Sequence, residues 1–189
     1  MDARTHVERA DAKVAEAAAP LRGHVLVRTL GTLSEVADQP QLISICVATT
    51  LAGLVTRDRR LANAGGRMLA SELVATWLKS AIKHNVDRTR PRAVEAGDSV
   101  AARPGHSEAS EENSFPSGHT AGAVAVARAV TRSYPDLALP ATLAAGSIAA
   151  IQVPRCQHYP SDLAAGAAIG LVADALVQGA ERLLVRAIS

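Results

Sequence analysis

The sequence is short of aromatic residues, with one Trp, two Tyr and one Phe in 189 positions. Four such side chains, Trp77, Phe115, Tyr134 and Tyr159, are too few for the aromatic belts that flank many membrane-embedded bundles. Cysteine is equally scarce. Cys46 and Cys156 give neither a disulfide framework nor a metal-ligand spacing, and Cys46 lies in an apolar run where a buried thiol is inert. Charge of one sign is missing too: 20 Lys and Arg face 18 Asp and Glu, for a net charge of +2, so no basic stripe suits a nucleic acid. The first forty residues carry acids and bases throughout, so no secretory signal peptide is expected. Strand-like alternation and internal repeats are also wanting.

What is present is alanine, leucine and valine. Apolar residues make up 48% of the chain, and Ala and Leu lead the helix-propensity order. The sequence therefore predicts an all-α bundle. Residues 2–19 read as a polar helix ending at Pro20, and 21–37 as an amphipathic one with Leu21, Val25, Leu26, Leu30, Leu33 and Val36 at helical spacing. Residues 1–38 thus form a lead-in to a domain spanning 39–189. That domain opens with 18 uncharged residues, Gln39 to Thr56, followed by Arg57-Asp58-Arg59-Arg60. Further helices are expected over 61–83, 116–133, 137–154 and from Pro160 onward, with a polar loop at 92–115. Five helices that alternate in direction place Arg57–Arg60, Arg128, Arg132, Arg182 and Arg186 at one end. By the positive-inside rule that end is cytoplasmic in a multi-pass inner-membrane protein, and runs of 18 residues are just long enough to span. The helices of a soluble bundle would be equally apolar inside.

Three islands carry chemistry, and the alternating helices bring all of them to the other, outer end. Lys83 is followed seven residues later by Arg90-Pro91; Pro116-Ser117-Gly118-His119 opens a helix; and His158 precedes Asp162 by four residues. Lysine supplies a point charge and arginine a planar fork of donors for phosphate oxygens. Ser117 and the Gly118 N–H add neutral donors at a helix start, where anions are favoured. A neutral histidine whose other nitrogen is held by a carboxylate can attack phosphorus, which fits His158 with Asp162. A second histidine, His119, can protonate the departing oxygen. His6, His24, His84 and His106 match no such pattern.

These islands resemble the type 2 phosphatidic acid phosphatase superfamily, which also holds class A acid phosphatases and vanadium haloperoxidases. Its motifs are Lys-x6-Arg-Pro, Pro-Ser-Gly-His and Ser-Arg-x5-His-x3-Asp. The first two are complete here and the third keeps His158 and Asp162, over a resemblance covering about residues 39–180. The resemblance implies a helical bundle, a phosphohistidine intermediate, no metal or other cofactor, and a phosphorylated lipid in the membrane as substrate. A soluble phosphomonoesterase and a non-catalytic phospholipid-binding protein are the alternatives. One departure stands out: the arginine of the third motif is replaced by Gln152, which can donate a hydrogen bond to phosphate but brings no charge, behind Ile151 where the family has serine. Arg155, three residues before His158, is the candidate to take over its charge.

Overall fold

The computed structural model describes residues 6–94 and 101–188. Seven α-helices are found among them: α1 His6–Ala18, α2 Val25–Ser34, α3 Gln39–Val55, α4 Arg59–Lys83, α5 Gly118–Ser133, α6 Ala138–Ile151 and α7 Pro160–Ile188. Among the described residues the fold is all-α apart from one two-residue pairing, β1 Val86–Asp87 with β2 Arg103–Pro104, and an isolated bridge between Arg88 and Asn113.

Local chemistry sets the boundaries. α4 starts two residues before the expected Leu61 because the Asp58 carboxylate accepts the N–H groups of Arg60 (2.9 Å) and Leu61 (3.0 Å). α5 starts at Gly118 rather than Pro116 because Ser117 is its cap. α6 stops at Ile151, short of Pro154, which has no N–H to continue the ladder. The chain then turns through Cys156, whose φ of 55° lies in the left-handed region, before Pro160 opens α7. The polar stretch after residue 101 is pinned rather than structureless. Arg88 N and Arg90 N donate to the carbonyls of Glu112 and Glu111 (both 2.7 Å), and Ser114 N donates back to Arg88 (2.9 Å). Residues 95–100 of the expected loop lie outside the described residues.

α4 and α5 form the centre. α4 packs against α3, α5 and α7, while α5 packs against α4, α6 and α7. Their shared core is small: Ala75, Ala121, Ala125, Ile169 and Ala173. Small residues let the backbones approach closely, and Gly166 and Gly170 of α7 face α5 one turn apart. A Cβ on Gly166 would stand 2.6 Å from the Ser117 carbonyl oxygen, and one on Gly170 would stand 2.6 Å from that of Ala121. Close packing of α7 thus bears directly on the turn that opens α5.

Arg60, Arg67 and Arg132 gather at one end, as the alternating helices require. Arg60 Nε donates to the Ser133 carbonyl (2.9 Å), and Glu181 pairs with both Arg67 (2.9 Å) and Arg132 (3.1 Å). Between the ends the surface is greasy: Leu51 and Leu54 on α3, Leu73 and Trp77 on α4, Leu139 and Leu143 on α6, and Leu171 and Leu176 on α7 are all exposed. α7 is long and apolar enough to cross a membrane, and only 28% of its most apolar window is buried within the bundle. α3 and α6 are apolar but shorter.

Gly170→Val should overpack the α5–α7 contact and cost about 1–3 kcal/mol of stability in detergent. Gly179→Ala, with nothing within 4 Å of the new methyl, should be neutral or stabilise by up to about 1 kcal/mol. Thermal unfolding of both variants checks this, and equal melting temperatures would show that the close approach is unimportant.

Candidate active site

A cavity of about 530 Å³ opens at the end of the bundle opposite Arg60, Arg67 and Arg132. The C-terminal part of α4, the start of α5, the turn before α7 and the segment leading into α3 enclose it. Of the residues singled out in the sequence, Lys83, Arg90, Gly118, His119, Gln152, Arg155 and His158 line it. Ser117 and Asp162, both wholly buried, lie behind the wall.

Lys83 ends α4 and donates to the Asn113 carbonyl (2.8 Å), and Arg90 Nη2 reaches the same oxygen (3.3 Å). The remaining Arg90 donors hold Ser110 O (2.8 Å) and the Gln157 carbonyl and side-chain oxygens (3.2 and 3.0 Å). Two cations therefore converge on one carbonyl. That cluster is costly unless an anion joins it.

His158 is 3% exposed, and its Nδ1 lies 2.7 Å from the Ser114 carbonyl oxygen. A carbonyl only accepts, so Nδ1 carries the proton and Nε2 keeps its lone pair. The expected direct bond to Asp162 is absent: Nδ1 to Oδ2 is 3.6 Å, too long for a hydrogen bond. His158 precedes the first turn of α7 instead of sharing a helix face with Asp162, which breaks the helical i, i+4 geometry. Burial holds the imidazole below its ordinary value of 6.5, so the ring is neutral at pH 7.

Asp162 organises the surroundings instead. Its Oδ2 accepts from Ser114 Oγ (2.6 Å) and Tyr159 N (2.8 Å), and its Oδ1 accepts from Arg88 Nη1 (2.6 Å). It thereby fixes the segment whose Ser114 carbonyl orients His158. Arg88 lies over the Tyr159 ring, 4.2 Å from its centroid, and its Nη2 donates to Asp11 of α1 (2.7 Å). Asp11 also accepts from the backbone N and the hydroxyl of Ser161. The N-terminal lead-in is thus bolted to the site. Nothing in the sequence spacing marked Asp11 or Arg88 for this role, since they pair across 77 positions.

Ser117 serves the fold. Its Oγ accepts from Thr120 N (3.4 Å) and Thr120 Oγ1 (3.0 Å), and its backbone N donates to the Asp162 carbonyl (3.1 Å). His119, two residues further on in α5, faces carboxylates. Its Nε2 is 3.0 Å from Asp38 Oδ1 and 4.0 Å from Glu35 Oε2, at ion-pair distance but without the direction of a hydrogen bond. Both acids come from the segment before α3, and neither was apparent from the sequence. Burial and the neighbouring Glu35 carboxylate push Asp38 up to about 6. Burial also acts to raise Glu35, but Asp38 and the Arg155 guanidinium outweigh it and hold that carboxyl below its usual range. Donor atoms of Glu35, Asp38 and His119 lie within 4.8 Å of one another, close enough to hold a cation together, although Arg155 already supplies Glu35 with one. Gln152 is fully buried, its Nε2 donating to Ser34 Oγ (3.3 Å) and Ile148 O (3.2 Å). Arg155 donates to Ser34 Oγ (2.9 Å) and pairs with Glu35.

The PAP2 superfamily model matches residues 64–181, which include every motif residue above. No curated protein matches the chain by sequence. Among solved structures, the transmembrane PAP2-type phosphatidylglycerolphosphate phosphatase of Bacillus subtilis is similar, with a TM-score of 0.70 and 20% identity over 95% of this chain and 88% of that one. LpxE of Aquifex aeolicus gives a TM-score of 0.64 and 17% identity over 89% of this chain and 94% of that one.

Arg88→Ala would leave Asp11 and Asp162 as buried carboxylates without their cation and should cost about 3–5 kcal/mol. Asp11→Asn keeps the shape and should cost less, about 1–3 kcal/mol. Denaturant unfolding in detergent measures both, and an Arg88→Ala protein of unaltered stability would mean that α1 and Asp162 are held by other means.

Proposed function

Because the chain belongs to the PAP2 superfamily, we propose that it is a membrane phosphatase that hydrolyses a lipid phosphate or pyrophosphate monoester through a phosphohistidine at His158. The observation that carries this reading is the setting of His158: neutral, buried, and oriented by Ser114 within the cavity that holds Lys83, Arg90 and His119.

The steps follow from that geometry. Lys83 and Arg90 exchange their carbonyl partners for phosphate oxygens, which carry the charge of the transition state. Nε2 of His158 donates its lone pair to phosphorus while the bond from phosphorus to the leaving oxygen breaks. The imidazolium that forms keeps its Nδ1–H on Ser114 O, with the Asp162 carboxylate nearby. His119 gives a proton to the leaving oxygen. Its Nε2 stands 3.0 Å from Asp38 Oδ1 and 4.0 Å from Glu35 Oε2, and an incoming phosphate dianion adds the negative charge that favours the imidazolium. In the second half, water attacks phosphorus, the P–N bond breaks, and His119 takes the proton back. The positive charge comes from side chains, and the reaction is metal-independent.

A lipid substrate is supported by the apolar flanks of the bundle and by the fold shared with a transmembrane phosphatidylglycerolphosphate phosphatase. The chain crosses the inner membrane several times, with the arginine-rich end in the cytoplasm and the cavity on the outer face.

Phosphate release from a panel of lipid phosphates by detergent-purified protein tests the reading. His158→Ala should lower kcat/KM at least about a thousandfold. Because His158 is held below 6.5, the acid limb of kcat/KM should lie below that pH, and a limb above it would show that the nucleophile is not so buried. Activity should survive strong chelators. Loss that a divalent ion restores would end the metal-free account and point to Glu35, Asp38 and His119 as its ligands.

A further inference from the structure

The third family motif has lost its arginine here, and the structure shows what becomes of the two residues that could replace it. Gln152 brings no charge and spends its amide on Ser34 and Ile148. Arg155 lines the cavity, but its guanidinium is matched by the Glu35 carboxylate and by Ser34. A third cation is nevertheless present. Lys79 lies one helical turn before Lys83 on the same face of α4 and lines the same cavity. Its Nζ donates to Gln39 Oε1 (3.2 Å), a neutral and easily exchanged partner.

The position of Lys79 at the start of α5 is specific. A Cβ built on Gly118 would stand 3.2 Å from Lys79 Cδ and 3.4 Å from its Nζ. The lysine stem therefore crosses the first turn of α5, and its ammonium ends beside the residue that precedes His119. The missing side chain at 118 is what gives the lysine room. Deeper on α4, Glu72 is 2% exposed and lines the inner part of the cavity. Its Oε1 accepts from Thr76 Oγ1 (3.1 Å), and its Oε2 has no hydrogen-bond partner. This buried carboxylate keeps a positive charge at Lys79 tolerable in the absence of substrate, without binding it directly.

We infer that Lys79 is a phosphate-binding residue, supplying from α4 the third positive charge that relatives draw from the third motif. An anion seated at the start of α5 then meets Lys79 together with Lys83 and Arg90, all of which line the cavity. On entry of substrate, Nζ leaves Gln39 for a phosphoryl oxygen, and that charge-assisted contact strengthens as the phosphoryl charge spreads in the transition state. The inference rests on the phosphatase reading and adds to it the residue that offsets the Gln152 departure.

The test uses the full-length protein in detergent, an aryl phosphate as substrate, and orthovanadate as a mimic of the five-coordinate phosphoryl group. Lys79→Met should lower kcat/KM by about thirtyfold or more and weaken inhibition by vanadate by about tenfold or more. Lys79→Arg should recover most of both, a rescue that tells phosphate binding from simple packing. Arg155→Ala should lose less than Lys79→Met. Gln152→Arg placed in the Lys79→Met protein should restore part of the loss, since it returns a charge to the motif position. The double variant Glu72→Gln, Lys79→Met should stay as impaired as Lys79→Met. Its recovery to wild-type rates would show that Lys79 only neutralises Glu72, and the inference would be overturned. So would a folded Lys79→Met protein with unchanged kcat/KM and vanadate inhibition, which leaves the phosphatase reading intact. Wild-type protein that neither hydrolyses phosphomonoesters nor binds vanadate would remove both.

Discussion

A single buried carboxylate holds this site together. Asp162 accepts from Arg88, Ser114 Oγ and the Tyr159 backbone, and so ties together three stretches of chain that are remote in sequence. Arg88 extends the tie to Asp11 on the first helix. A buried charge is tolerated only when it is paired and hydrogen-bonded, and Asp162 has both. The price of that arrangement is that the carboxylate stands 3.6 Å from His158 and leaves its direct orientation to the Ser114 carbonyl.

The two histidines meet different neighbours. His158 is buried against a neutral acceptor, so its Nε2 keeps a lone pair. His119 stands beside the carboxylates of Asp38 and Glu35, with its Nε2 directed at neither. The cations divide similarly. Arg88 and Arg155 are matched by carboxylates, whereas Lys83, Arg90 and Lys79 rest on neutral oxygens that an anion can displace.

Much of this was legible in the sequence. Alanine-rich runs gave the helices, and the order of the basic clusters gave the end at which the motifs meet, because helical direction alternates across short connections. Lys83, Arg90, His119 and His158 could be named because their chemistry is tied to fixed local spacing. Asp11, Arg88, Glu35, Asp38 and Lys79 could not. Each acts through a partner brought close only by tertiary packing, and a lone acid or lysine on a helix reads as an ordinary solvated charge. Ser117 shows that one motif residue can also shape the fold: its hydroxyl oxygen caps α5 by accepting from Thr120.

The account turns on a covalent bond between phosphorus and the Nε2 atom of His158. Rapid quenching of the reaction with a labelled phosphomonoester, followed by peptide mapping, looks for that bond directly. An alkali-stable, acid-labile phosphate on the peptide carrying His158, absent from His158→Ala, is the result the account requires. Turnover with no labelled protein at any time, or label carried by the His119 peptide, would contradict it.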